Sequence, residues 1–269
     1  MLGQPIDKRY KLGLQSGSFV VLILIYSGLS YHQHQKNPDD TTIPSWGQLA
    51  HGITKIVEVN PRAHERWLVV DAAATGGRLF LGMFLGILGA FVLGILMGCF
   101  ATFESFFVPP LALLAKIPPT AALAVFFVMV GTDLEMFVAM IAFGVMPTLA
   151  QSIYMAVKDV PEQILHKAYT LGASITEVIW NVIVRQILPK FIDAVRLQIG
   201  PAMVYLIAAE MVCAGVGFGY RIRIQFKKLD MDVVYPYLII LALAGFLLDW
   251  GLKQVRKKAS PWYQAEGAK

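Results

Sequence analysis

The stretch LFLGMFLGILGAFVLGILMGC, from Leu79 to Cys99, contains no charged residue. A helix of this length rises about 30 Å, which matches the hydrocarbon core of a bilayer. Small residues let helices approach closely in lipid. Here they include two GxxxG pairs, formed among Gly82, Gly86, Gly89, Gly94 and Gly98. The stretch predicts a membrane-spanning helix whose glycines pack against a helix of the same chain or of a second copy.

The composition of the whole chain favours a membrane protein over a soluble one. Hydrophobic residues make up 57% of the 269 residues and charged residues only 15%, with a mean hydropathy of +0.60. A soluble domain carries about a quarter charged residues. The net charge of +5 is expected to lie on cytoplasmic loops, so we expect no nucleic-acid partner. Cys99 and Cys213 form neither a metal-binding spacing nor a disulfide framework, and we predict no metal site.

Uncharged stretches recur along the chain and predict an all-α membrane protein with about six transmembrane helices in one domain, 1–269. The first follows a basic N-terminus without a small-residue cleavage site, so we expect a spanning helix rather than a signal peptide. The third contains Lys116 and the pair Pro118-Pro119. The predicted spans are about 12–31, 79–99, 111–131, 136–157, 197–216 and 233–250.

The distribution of Lys and Arg predicts the orientation of these spans. With the N-terminus inside, thirteen Lys and Arg lie on the cytoplasmic side and eight on the outside. This excess favours an N-in, C-in topology. The topology places Arg221, Arg223, Lys227 and Lys228 outside, in a segment where Arg221, Arg223 and Gln225 alternate with Ile222, Ile224 and Phe226. That segment is expected either to lie in the outer membrane interface or to contact acidic residues of a solute-binding protein.

A polar segment between spans four and five predicts a helix–glycine–helix elbow over 159–177. Asp159 and Pro161 are helix-start signals, and Gly172 is a natural helix end. Ser174 or Thr176 is expected to begin the second helix. A plain channel needs only a short turn here. On its periodicity alone, the elbow is equally compatible with docking onto a soluble partner and with lying on lipid headgroups.

This segment resembles the EAA loop of binding-protein-dependent ABC importer permeases, in the branch that serves nitrate, bicarbonate, sulfonates and taurine. The resemblance extends over about Arg78 to Trp250 and departs from the family pattern in two places. His166-Lys167-Ala168 stands where the loop has Glu-Ala-Ala, and Val184-Arg185 stands where the branch often has a first Leu-Pro. The matching motifs are Lys116-Ile-Pro-Pro-Thr-Ala-Ala-Leu-Ala, Leu171-Gly-Ala-Ser, Gln186-Ile-Leu-Pro-Lys, Ala194-Val-Arg-Leu and Ala208-Ala-Glu-Met.

The resemblance implies a type I importer fold in which the elbow is a coupling helix. A separate ATP-binding subunit would bind this helix and transmit its conformational change to it. The chain has no Gly-x-x-x-x-Gly-Lys-Ser/Thr phosphate loop, so ATP and magnesium are expected in that partner and no cofactor in this chain. The other implied partners are a solute-binding protein, a second permease copy in a homodimer, and the bilayer. The expected ATPase-coupling residues are Glu162, His166, Lys167, Ala168, Leu171, Gly172, Ala173, Ser174 and Pro189.

A few residues within the predicted spans are candidates for the pathway or its gating. Glu210 follows a long apolar run and is costly in lipid, which favours either an ion pair or a place on the pathway. Lys116 lies where its side chain can reach the headgroups. Pro118 and Pro119 weaken the helix and are candidate hinges.

The predicted function is the permease subunit of an ATP-driven importer that works by alternating access, and not an enzyme. The expected solute is an oxyanion or sulfonate such as nitrate, bicarbonate or taurine, with a small cation or an aromatic or pyrimidine compound as the alternative. An ion-gradient-driven secondary transporter is the second class, but such proteins usually have inverted repeats. An oligomeric channel is a further alternative that counting spans does not exclude. A membrane-embedded enzyme would need clustered polar residues near one membrane face.

Overall fold

The computed structural model describes residues 8–38, 40–59 and 64–263. Their regular structure is helical, apart from an isolated antiparallel bridge between Val59 and Arg66. A π-helical segment, Val178–Ile183, separates α8 from α9. The α-helices are α1 (Lys8–Lys36), α2 (Trp46–Val57), α3 (Trp67–Cys99), α4 (Ala101–Leu114), α5 (Leu123–Val130), α6 (Leu134–Lys158), α7 (Glu162–Thr170), α8 (Ile175–Glu177), α9 (Val184–Cys213), α10 (Phe218–Lys227) and α11 (Met231–Ala259).

The chain divides into two compact units. The first unit combines Met1–Trp67 with Ile222–Leu238, and the second combines Leu68–Arg221 with Ile239–Lys269. Within the first unit, Ser45 caps α2 in a reciprocal capping box with Gln48. The hydroxyl of Tyr26 donates a hydrogen bond of 2.6 Å to the carbonyl of Pro44, which holds the start of α2 beside α1.

The second unit is built around α6, whose apolar side chains include many of the fully buried ones. Helix α3 reaches α6 through its glycines. A methyl group added at Gly94 would lie 2.6 Å from Cβ of Ile153, and one added at Gly98 would lie 2.5 Å from Cβ of Val157. Only glycine permits this approach, because real Cβ atoms do not come so close. The glycine face predicted from the sequence thus packs inside the chain.

Among the described residues, five helical stretches are long and apolar enough to cross a membrane. They are Gly13–Lys36, Trp67–Cys99, Leu134–Lys158, Ile175–Cys213 and Met231–Ala259. Predicted spans one, two, four, five and six fall largely within them. The prediction of an all-helical membrane protein is confirmed.

The third predicted span, over 111–131, is wrong as a single helix. Helix α4 ends at Leu114 and α5 begins only at Leu123, with turns between them. Pro118 and Pro119 both lack an amide hydrogen, and a proline disfavours the helical conformation of the residue before it. The pair lies in the turns between the two helices, and two short helices take the place of one span.

The boundaries of two other spans differ from the prediction. Helix α9 ends at Cys213 rather than at residue 216. Helix α3 begins at Trp67, twelve residues before the predicted start at Leu79, and it includes the charged residues Asp71 and Arg78. The earlier start of α3 has an electrostatic reason, because Asp71 pairs with Arg221 and Arg78 pairs with Glu210, so the helix continues through both charges.

Candidate functional site

The elbow over 159–177 has the helix–glycine–helix geometry expected from the sequence. Helix α7 ends at Thr170, and Gly172, two residues further on, has a φ of +82°, in the left-handed region that favours glycine. The amide of Gly172 donates to the carbonyl of Tyr169, and the amide of Ala173 donates to the carbonyl of Ala168. These two hydrogen bonds form a Schellman motif, which closes the C-terminus of α7 without help from the rest of the chain.

Ser174 begins the second arm of the elbow. Its hydroxyl accepts from the amide of Glu177, and the Glu177 carboxylate accepts from the amide of Ser174 at 2.8 Å. Because the two ends that meet at Gly172 are both closed locally, the tip of the elbow is rigid. Asp159 does not cap α7; it accepts a hydrogen bond of 2.8 Å from Nζ of Lys190 on α9. The elbow is therefore connected to α9 at both ends. Its N-terminal end is held by the contact between Asp159 and Lys190, and its C-terminal end continues into α9 through the π-helical segment.

The elbow presents an apolar tip away from the chain. Leu171 is 87% exposed and Ile175 is 59% exposed. Leu165, Ala168 and Ala173 instead pack partly buried against the core of the second unit. Of the predicted coupling residues, the exposed ones are Glu162, His166, Lys167, Leu171, Gly172 and Ser174. Pro189 is buried within α9, so it does not belong to this exposed surface.

A second polar feature lies inside the second unit, where Glu210 of α9 is completely buried. Its carboxylate accepts hydrogen bonds from Nη1 of Arg78 at 2.7 Å, from Oγ1 of Thr75 at 2.9 Å and from the amide of Gly219 at 2.9 Å. The guanidinium of Arg78 also lies over the ring of Phe137, with Cζ 4.3 Å from the ring centre. The buried charge is thus paired and hydrogen-bonded on several sides, as a buried charge requires.

A second ion pair, between Asp71 and Arg221, joins α3 to α10. Asp71, also completely buried, accepts a hydrogen bond of 2.8 Å from Nε of Arg221 and one of 3.0 Å from the amide of Gly217. Thr75 accepts from the amide of Phe218 at 2.9 Å. Asp71, Thr75 and Arg78 lie on one face of α3 and hold the connection between α9 and α10. We call the set Asp71, Thr75, Arg78, Glu210 and Arg221 the buried cluster.

Of the buried cluster, the sequence indicates a buried role for Glu210 but not for Asp71 and Thr75. Glu210 was expected to form an ion pair or to face a pathway, and the structure gives it the pair with Arg78. Asp71 and Thr75 were overlooked because the predicted span began at Leu79. Their spacing with Arg78, at i, i+4 and i+7, marks one face of a helix and was the available signal.

The remaining predicted site residues are placed as follows. Lys116 and Pro118 are exposed in the turns between α4 and α5, whereas Pro119 is buried beside Gly144 of α6. Arg221 pairs with Asp71 inside the unit, and so it is not available as a surface contact. Lys227 and Lys228 are exposed at the end of α10, and Arg223 is half-buried.

The sequence profile of the binding-protein-dependent transport system inner membrane component family matches residues 78–260, which is well over half of the chain. The chain belongs to this family. It is therefore a permease, a multi-pass inner-membrane subunit of an ABC importer.

Two curated relatives cover most of the permease. It is 29% identical over 191 residues to the taurine transport system permease protein of Escherichia coli strain K12, covering 71% of this chain and 70% of the relative. It is 31% identical over 186 residues to a putative ABC transporter permease protein of Methanocaldococcus jannaschii, covering 69% of this chain and 70% of the relative. The family resemblance predicted from the sequence is thereby confirmed.

A solved structure supports the fold. The permease is similar, with a TM-score of 0.62 and 17% sequence identity, to a chain of the inward-facing MetNI methionine ABC transporter. The match covers 72% of this chain and 96% of the other. At this identity the likeness concerns the fold, which agrees with the importer fold expected from the elbow and the spans.

Proposed function

We propose that the permease forms the translocation pathway of an ATP-driven importer for taurine or a related small sulfonate, and that a separate ATPase drives it through the elbow. Two copies form the pathway as a homodimer, and ATP and magnesium bind to the ATPase. The N- and C-termini face the cytoplasm, as the distribution of Lys and Arg predicts. The solute is suggested by the name of the Escherichia coli relative.

The observation that carries the proposed coupling is the exposed apolar tip of the elbow. Leu171 is 87% exposed although both neighbouring helix ends are closed by their own hydrogen bonds. A rigid apolar projection on a polar segment suits insertion into a groove of a soluble partner. Closure of the two ATPases would move this tip, and its connections to α9 would carry the movement into the spans.

Co-purification with the ATPase tests the coupling. Leu171→Asp places a charge at the tip and is expected to abolish recovery of the ATPase with the permease. Leu229→Asp is the matched control, because Leu229 is also an exposed leucine, with 64% of its surface accessible. It follows α10, which the proposed topology places on the outer side of the membrane, away from the ATPase. Loss of the ATPase from the Leu171 variant alone supports the proposal, and equal recovery with both variants contradicts it.

Uptake into proteoliposomes tests the function itself. The permease, its ATPase and the solute-binding protein are expected to accumulate radiolabelled taurine with ATP and not with an ion gradient alone. Uptake by the permease without ATP would instead make it a secondary transporter or a channel.

A further inference from the structure

A polar pocket opens at one end of the second unit, next to the buried cluster. Its volume is about 540 Å³, and it is lined by the first part of α3, the start of α6 and the connection after α9. Arg78, Asp133 and Phe137 are among the lining residues, together with the small residues Ala73 and Gly77. A polar surface is costly against lipid, so a pocket of this kind in a membrane-embedded unit is expected to face protein or a water-filled path.

Arg78, which lines this pocket, has unused hydrogen-bond donors. Its bonds to Glu210 and to the carbonyl of Val216 both come from Nη1. Within the described residues, its Nε and Nη2 donate to no protein group. The guanidinium is held in place by Glu210 and by the ring of Phe137. A planar fork of donors on a fixed guanidinium suits the oxygens of a sulfonate or carboxylate.

Asp133 supplies the opposite charge. It is the N-terminal capping residue of α6, yet its side chain makes no capping hydrogen bond. It is exposed, and in the described part of the chain its carboxylate has neither a hydrogen bond nor an ion pair. No group of the described residues therefore competes for this carboxylate with a cationic group entering the pocket.

The balance of charges favours a zwitterion over a simple anion. Glu210 already neutralises Arg78, and Asp133 adds a negative charge that pairs with no cation in residues 8–38, 40–59 and 64–263. A solute that carries only negative charge gains from Arg78 but is repelled by Asp133. A solute that also carries an ammonium group is attracted by both side chains, because the two lie on the wall of one pocket.

We propose that this pocket is a solute site of the permease itself, in which Arg78 binds the acidic group and Asp133 the ammonium group of a small zwitterion such as an aminosulfonate. The inference rests on the proposed function and specifies its solute class. On the proposed topology the pocket lies at the outer end of the spans, where a solute released by the binding protein enters the pathway.

Saturation-transfer NMR on the purified permease–ATPase complex, without the binding protein, tests the site because it detects weak binding. The probes are taurine and ethanesulfonate, which lacks the amine. The wild type is expected to bind taurine about fivefold more tightly than ethanesulfonate, the size of one solvent-accessible charge contact. Asp133→Asn is expected to remove this preference by weakening taurine about fivefold without weakening ethanesulfonate.

Glu135→Gln is the matched control, because Glu135 is an exposed carboxylate in the first turn of α6 that does not line the pocket. It is expected to bind taurine as the wild type does. In a second measurement, taurine should slow the labelling of a thiol introduced on the pocket wall by Ala73→Cys, in a protein whose own free cysteines, Cys99 and Cys213, are replaced by serine because Cys213 also lines the pocket.

Absence of taurine binding to the wild type, equal binding of both probes, or equal effects of the two carboxylate variants would overturn the proposed site. ATP-dependent taurine uptake by the complete wild-type importer tests the proposed function separately from the proposed solute site. If uptake occurs while the carboxylate variants behave alike, the pocket is refuted and the proposed function stands.

Discussion

Glu210 and Arg78 form an ion pair of 2.7 Å in which the carboxylate is completely buried and 13% of the guanidinium side chain is exposed. The pair joins α9 to α3, and hydrogen bonds from Thr75 and Gly219 complete the surroundings of the carboxylate. One arginine therefore stabilises a charge inside the protein and also lines a polar pocket. Stability and solute contact are expected to be coupled at Arg78.

Single substitutions in this pair are expected to be severe. Glu210→Ala leaves the Arg78 cation without its partner, and Arg78→Ala leaves a buried carboxylate, so each is expected to cost about 3–5 kcal/mol of unfolding free energy. The double variant is expected to lose at least about 1 kcal/mol less than the sum of the single losses, because the two groups interact directly. Denaturant-induced unfolding of the purified permease measures all three. Strictly additive losses would mean that the two side chains contribute independently.

The glycines of α3 give a second prediction about stability. Gly94→Ala places a methyl group 2.6 Å from Cβ of Ile153 and is expected to destabilise the protein by about 1–3 kcal/mol. Gly76→Ala is the matched control on the same helix, since no atom of the described residues lies within 4 Å of the added methyl group. It is expected to stabilise the helix by about 0.5–1 kcal/mol. Thermal unfolding in detergent compares the two, and a loss of stability at both positions would refute the packing explanation.

Local signals in the sequence predicted much of the fold. The run from Leu79 to Cys99 marks a span by composition alone, and Gly172 marks a helix end because few other residues adopt its backbone conformation. The tip of the elbow is predictable for the same reason, since its hydrogen bonds join residues close in sequence.

The buried cluster was not predictable in the same way. Arg78 looks like the edge of a span when only its neighbours are considered, but it lies inside α3 because Glu210, far along the chain, neutralises it. Similarly, the sequence around Arg221 is typical of a surface segment, but its guanidinium pairs with the buried carboxylate of Asp71. Such pairings depend on tertiary contacts, and hydropathy carries no information about them.

The basic residues after α9 separate into two roles with different expected phenotypes. Arg221→Glu confronts the buried carboxylate of Asp71 with a second negative charge and is expected to reduce stability and assembly. Lys227→Glu with Lys228→Glu changes exposed residues, so assembly should be preserved. If these lysines contact an acidic solute-binding protein, the double variant lowers uptake, most strongly at low salt. Unchanged uptake would exclude that contact.

Gly172 separates the effect of backbone strain from that of docking. Its φ of +82° penalises any L-residue, so Gly172→Ala is expected to cost about 1 kcal/mol of unfolding free energy. Within the part of the chain that the structure describes, no atom lies within 4 Å of a Cβ added at Gly172, so Gly172→Leu is expected to cost no more than Gly172→Ala in the permease alone.

The two variants should differ once the ATPase is present. If the tip of the elbow enters a groove of the ATPase, the larger leucine side chain clashes there. Gly172→Leu is then expected to lower ATPase recovery and ATP hydrolysis well below the values for Gly172→Ala. Unfolding measurements on the permease and hydrolysis measurements on the complex provide the comparison. Equal hydrolysis by the two variants would mean that the glycine is needed for the shape of the elbow and not for space at an interface.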